Sequence, residues 1–356
     1  MNTDFDMATM LADSAARYTS DNYHFLARHA ILAQPGGYSK AAWNDYAGFG
    51  WLALRLPQQA GGLDADIVAV GALMETVGAR LLMEPLLASA IVGTELLCRL
   101  GSSAQCDALL PRVADGSLKL AFIHAAPGGG AALAKVADGK LSGSYEGVLQ
   151  ADLADLWLVA AASGDGGTQV VLVDPRAQGV AMAAYRMVDD RSAANVRFDD
   201  VSAEPLAGDA GEAIAYVLDL ASVAQCAEAL GIVKMLNSAT LDYLKLRKQF
   251  GKPIGSNQAL QHRAADTYFL ELEIAALARH AQMAMGLPAA ERAAQVSAAR
   301  AYIVNAARKV ANEAVQMHGG VGLTDELDIS HYFRRLMVNA ALFGNRAMHF
   351  DRYMGA

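Results

Sequence analysis

The sequence predicts an α+β chain in three parts. An all-helical N-terminal domain spans 1–116, a central antiparallel β-barrel or sandwich spans 117–207, and a C-terminal four-helix bundle spans 208–356. Three observations predict this order. Apolar residues recur at helical spacing over the first part. From about residue 117 the period falls to two, in short runs separated by Gly, Asp and Pro. From about residue 210 helical spacing returns, in segments long enough to lie side by side as an antiparallel bundle.

In the first part, Trp43, Tyr46, Ala47 and Gly50 share one face of a helix over 41–50. Trp51 to Leu56 is a short apolar run closed by Pro57, and Ala60-Gly61-Gly62-Leu63 is a turn. Asp66 is placed to cap a helix over 67–82, whose Val70, Leu73, Met74 and Val77 form one face. Glu84-Pro85 ends it. Residues 86–100 continue helically, and after the Gly101-Ser102 break Ser103 is the expected cap of 104–114.

Strand candidates follow at 118–123, 134–136, 140–145, 156–161, 169–173, 180–185 and 195–198. Their even spacing without intervening helices favours a small antiparallel barrel or sandwich. Gly128-Gly129-Gly130 lacks the G-K-[ST] of a phosphate loop. Helices then span 212–247, 259–286, 288–318, 325–341 and 346–353. The first of these is roughly 54 Å long if unbroken. Its face of Val217, Leu220, Ala224, Ala227, Leu230 and Gly231 is rich in small residues, which implies close helix packing.

Composition excludes several classes. Hydrophobic residues are 54% of the chain and charged residues 19%, so a large core is available. A net charge of −8 with no basic block argues against a nucleic-acid partner. Cys98, Cys106 and Cys226 are widely spaced, as reduced thiols of a cytoplasmic protein are, and form no disulfide framework or zinc site. The eight His show no metal-ligand spacing. No apolar run reaches the roughly 18–20 residues of a membrane span. The acidic start, Met1 to Asp6, lacks the basic region of a signal peptide.

Chemistry concentrates in two stretches. In Leu241 to Gln258 a long helix ends in a basic turn, Arg247-Lys248-Gln249-Phe250-Gly251, and Gly251, Pro253 and Gly255 break it. A new helix opens near Ser256, with Asn257 and Gln258 in its first turn. Free backbone amides and the positive end of a helix dipole suit a phosphate. The planar Arg247 fork suits a pyrophosphate. Taken alone, Gly251 also fits a plain helix C-cap and Arg247 a solvated cation. The second stretch is Gln316-Met317-His318-Gly319-Gly320, where a helix ends in paired glycines. Those glycines permit close approach of a ligand to the main chain, or simply a C-cap.

Together, in this order, the two motifs resemble the acyl-CoA dehydrogenase family. So do Leu54-Arg55-Leu56-Pro57, Glu84-Pro85 and Asp155-Leu156-Trp157-Leu158-Val159. Within the family the likeness is to the pimeloyl-CoA dehydrogenase small-subunit type and to the steroid side-chain type. Leu260 to Asp266 and His331-Tyr332-Phe333 carry that closer likeness.

The resemblance implies FAD, the acyl-CoA dehydrogenase fold, and α,β-desaturation of an acyl-CoA in lipid degradation by β-oxidation. On that pattern Arg247 holds the pyrophosphate. Gln249, Phe250, Ile254, Asn257 and Gln258 line the site, while Gln316, Gly319 and Gly320 contact the adenosine side. The resemblance also implies a cofactor shared between chains of a homo- or heterotetramer, and an electron-transfer flavoprotein as acceptor.

The family places its catalytic Glu at one of two positions, which fall here at Phe343 and at Ala221. Neither side chain takes a proton. The family's Thr-Glu-Pro…Gly-Ser loop reads Ala125-Ala126-Pro127-Gly128-Gly129-Gly130. Three readings follow. The chain is an FAD-binding subunit whose partner supplies the base, a lone enzyme with a relocated base for which Asp219 is the nearest carboxylate, or a structural subunit without flavin.

Overall fold

The computed structural model describes residues 3–125, 133–164 and 166–355. The family loop compared at Ala125 to Gly130 lies, from Ala126 on, outside the described residues. The chain divides into two compact units. One comprises Arg28–Val70 and Met83–Ala221. The other comprises Met1–Ala27, Gly71–Leu82 and Ser222–Ala356.

The helices before the sheet are α1 (Thr3–Asn22), α2 (Phe25–Leu32), α3 (Lys40–Gly48), α4 (Ile67–Arg80), α5 (Thr94–Leu100) and α6 (Ser103–Ala114). A π-helical stretch, Leu86–Gly93, runs into α5. Asp66 caps α4 as its position predicts, its Oδ1 accepting from the Ala69 N–H at 2.9 Å. The cap of α6 is Ser102, not Ser103. Ser102 and Gln105 form a reciprocal capping box, and Gln105 at the third helical position selects the earlier serine.

The strands are β1 (Leu120–Ile123), β2 (Ala134–Ala137), β3 (Lys140–Leu149), β4 (Leu156–Ala162), β5 (Thr168–Val173), β6 (Val180–Arg186), β7 (Ser192–Ser202) and β8 (Glu204–Pro205). They form one sheet in the order β6-β7-β3-β2-β4-β5-β8, with β1 paired to β4. The sheet is mixed, not antiparallel, because β1 and β2 both run parallel to β4. Period-two patterning reports which side chains point inward and carries no information on strand direction. Trp157, Phe198, Ile123, Val159 and Val171 fill the inner face. Trp157 Nε1 donates to the Ala151 carbonyl at 2.9 Å, and Tyr145 packs edge-on against Phe198.

After the sheet come α7 (Ala210–Leu246), α8 (Gln258–Ala284), α9 (Ala289–His318), α10 (Ile329–Asn339) and α11 (Arg346–Met354). A ribbon, β9 (Lys248–Gln249) with β10 (Lys252–Pro253), sits between α7 and α8. Leu236, Ile274, Ile303, Val310 and Tyr332 join α7 to α10 in one apolar core. Contrary to the sequence expectation, α7 is long and apolar enough to cross a membrane by length and composition. Of its apolar window, 89% is buried inside the protein, as in a core helix. The small residues of α7 work as anticipated. A β-carbon on Gly231 would lie 1.9 Å from the Glu75 carbonyl oxygen of α4, and one on Gly78 would lie 2.0 Å from that of Glu228. The two backbones touch, and only glycine fits at either contact.

Candidate cofactor site and active-site turn

The C-terminal part of α7 and the ends of α8 and α9 lie in one compact unit. Side chains tie the three together. The Tyr243 ring near the end of α7 stacks on the His318 ring at the end of α9, with centroids 4.4 Å apart and planes at 29°. Arg263 of α8 pairs with Glu313 of α9 at 2.6 Å. Asn237 of α7 donates to the Thr267 carbonyl of α8 at 3.1 Å. The two sequence motifs are therefore neighbours: Arg247 follows Tyr243 by one helical turn, and Gln316 precedes His318 by two residues.

The Arg247 motif is a hairpin. The Arg247 N–H donates to the Tyr243 carbonyl at 2.8 Å, and the Ile254 N–H donates back to the Arg247 carbonyl at 2.9 Å. Between them Phe250 and Gly251 both have left-handed backbones, φ 51° and 80°. That is the turn that matches strand twist in a two-residue hairpin, and it normally avoids aromatic residues. Phe250 stands fully exposed at the tip. The ribbon closes against α7 because Gly255 has no side chain. A β-carbon there would sit 2.9 Å from the Leu244 carbonyl oxygen.

Several features fit a dinucleotide here. The Arg247 side chain is exposed and makes no hydrogen bond or ion pair among the described residues. Asn257 precedes α8 and its side chain makes no capping bond. The first amides of α8 thus meet no side-chain acceptor from their own cap, as an anion site at a helix start requires. Gly319 has φ 67° and ψ −148°, a region essentially reserved for glycine. Open space surrounds Gly319 and Gly320. Gln316 lines a cavity of about 520 Å³ with Asn312, Leu323, Asp325, Phe333 and Arg334. Gln249, Asn257, Gln258 and Gln316 are exposed, and Ile254 is half-buried.

The two positions where the resemblance puts a base look different. Phe343 is half-buried with φ 56°, and Gly344 beside it has φ 113°. His349 of α11 supports this turn from beneath. A β-carbon on Gly344 would lie 3.1 Å from His349 Nε2 and 2.2 Å from Met348. His349 Nε2 is buried and makes no hydrogen bond among the described residues, while Nδ1 lies 3.4 Å from Ser297 Oγ. Burial, with the Arg300 and Arg352 guanidinium groups nearby, pushes the imidazole pKa down to about 3. Ala221 is fully buried in α7 and belongs to the other unit. Asp219 is also fully buried on α7 and is already engaged within the protein.

Sequence reasoning passed over three groups. Tyr243 sits one helical turn before Arg247, a spacing that marks a shared face. His349 carries no motif. A buried network, Glu228 with Arg335 at 3.0 Å and Asn339 at 2.8 Å, continues to Arg300 at 2.7 Å. Its one signal in the sequence is a Glu interrupting the apolar face of α7.

Comparison with known proteins agrees with this architecture. Residues 211–354 match the model of the acyl-CoA dehydrogenase C-terminal domain, and residues 6–117 match that of the N-terminal domain. Acyl-CoA dehydrogenase IpdE2 of Mycobacterium tuberculosis is 28% identical, over 94% of this chain and 92% of its own. Among solved structures, the steroid acyl-CoA dehydrogenase Tcur3481-Tcur3483 (G363A variant) is 26% identical, with a TM-score of 0.88, covering 99% of this chain and 98% of that one. The ChsE4-ChsE5 complex of Mycobacterium tuberculosis shares the fold at 23% identity and a TM-score of 0.87, over 98% of this chain and 96% of that one. The class is that of FAD-dependent oxidoreductases acting on the CH–CH bond of acyl-CoA. The chain belongs to the acyl-CoA dehydrogenase family.

Proposed function

We propose that the chain is the flavin-holding subunit of a heteromeric acyl-CoA dehydrogenase in which a paralogous chain supplies the base. One observation carries this reading. The Tyr243–His318 stack brings Arg247, the uncapped start of α8 and Gly319-Gly320 near one another, while the two positions where the family resemblance puts a carboxylate hold Phe343 and Ala221. Removing a proton from the weakly acidic α-carbon needs a positioned base and a polarised thioester carbonyl. This chain offers neither Asp nor Glu at those two places.

The chain's own residues bind and orient. Arg247 gives the pyrophosphate a two-pronged donor. The α8 start adds amides and the positive end of a dipole. Gly319 and Gly320 let the adenosine end lie against the main chain, and Gln316 borders it. Bound FAD supplies the acceptor for the β-hydride. The resemblance assigns the Phe343 N–H to the thioester oxygen, and Phe343 keeps that group whatever its side chain. The names of the similar proteins support a steroid-derived acyl group and a partner chain of a second kind, while the tetramer and the electron-transfer flavoprotein as acceptor are what the family resemblance implies.

The test is the visible spectrum of the purified chain under anaerobic acyl-CoA. The expected result is flavin absorbance that persists with the chain alone and bleaches once the paralogous subunit is added. Full turnover by the chain alone overturns the proposal.

A further inference from the structure

The two dinucleotide motifs are linked through a pair of rings that belong to neither ligand set. We propose that Tyr243 and His318 are positioning residues whose stack sets the distance between the Arg247 turn and the Gly319-Gly320 turn, so that the site is preformed. The proposal rests on reading both motifs as one dinucleotide site.

Both rings are held from behind. His318 is 5% exposed. Its Nδ1 lies 2.8 Å from the Ala314 carbonyl, one turn back on α9. A carbonyl only accepts, so Nδ1 carries the proton, and that bond fixes the ring plane. Burial raises the pKa of the Asp328 carboxyl, against the lowering effect of a backbone hydrogen bond. Tyr243 is half-buried, and its own carbonyl receives the Arg247 N–H. A shift of the Tyr243 backbone therefore passes directly to Arg247 and, through the Arg247 carbonyl, to Ile254 and the ribbon. On the other side His318 is bonded to Gly319, whose glycine-only backbone leaves little slack. The stack thus lies one covalent or hydrogen-bonded step from a ligand group in each motif. A site whose halves are fixed beforehand spends less binding energy on ordering them.

The experiment uses the full chain together with its paralogous subunit. FAD affinity is read by flavin fluorescence at a temperature well below the melting transition. Tyr243→Leu, which keeps bulk but removes the ring, and His318→Ala should each weaken FAD binding about tenfold, the scale of one aromatic pair. Tyr243→Phe, which keeps the ring, should bind like the parent. The double variant Tyr243→Leu/His318→Ala should be no weaker than either single one, because both remove the same contact. A merely structural role would lower the melting temperature while leaving the affinity of the folded protein intact, so parental affinity in Tyr243→Leu overturns the proposal. So does an additive double variant. Failure of the unaltered assembly to bind FAD overturns the dinucleotide reading itself, and this proposal with it.

Discussion

Phe343, where the family resemblance puts the base, has a left-handed backbone, which costs a residue with a β-carbon about 1–2 kcal/mol. Strain of this kind persists where the surroundings over-determine it, and here Met348 and His349 pack into the space beside Gly344. The turn is therefore a fixed frame with an exchangeable side chain. Phe343→Glu restores a carboxylate in that frame. Its expected outcome is anaerobic bleaching of the flavin by acyl-CoA without the paralogous subunit, and an unbleached spectrum would show that the turn no longer faces substrate. His349 makes a separate prediction. Its folded pKa, about 3, lies below the ordinary value of 6.5. The unfolded chain thus binds the proton more readily. The stability contributed by the neutral ring is complete above pH 6.5 and drains away as pH falls from 6.5 toward 3, at about 1.4 kcal/mol per pH unit while only the unfolded form is protonated. Urea midpoints at pH 7 and pH 4.5 should move apart less in His349→Gln than in the parent.

At the scale of elements, α4 and α7 cross in backbone contact, since two glycines there admit no β-carbon. Gly78→Ala should lower stability by about 1–3 kcal/mol, the usual cost of overpacking, although alanine is the better helix former. A denaturation midpoint no lower than the parent's would show that the helices separate freely. The sequence displayed this crossing through the small residues on α7 but could not name the partner helix. It also placed most helices within a few residues, because apolar spacing and caps are local. Three features escaped it. Strand direction leaves no trace in alternation, so the parallel pairs of β1 and β2 with β4 were invisible. The Phe250-Gly251 hairpin read only as a basic turn ending a helix, because an aromatic residue in a left-handed turn runs against turn chemistry. The capping serine was misplaced by one residue, because Ser102 and Ser103 are adjacent and only the reach of Gln105 separates them.

At the scale of the molecule, the two candidate cofactor motifs were legible because glycines and helix breaks are read directly from sequence. What fastens them together was not, because Tyr243 and His318 meet only after the chain has folded. The same dependence on distant segments governs how the protein comes into being. One compact unit is assembled from three separate stretches, Met1–Ala27, Gly71–Leu82 and Ser222–Ala356. At ribosomal speeds of about 5–20 residues per second, α4 waits roughly 8–30 s for the stretch of α7 that packs on it at Gly78 and Glu228. The nascent chain carries that face of α4 open until α7 has emerged, an interval in which exposed apolar surface favours aggregation.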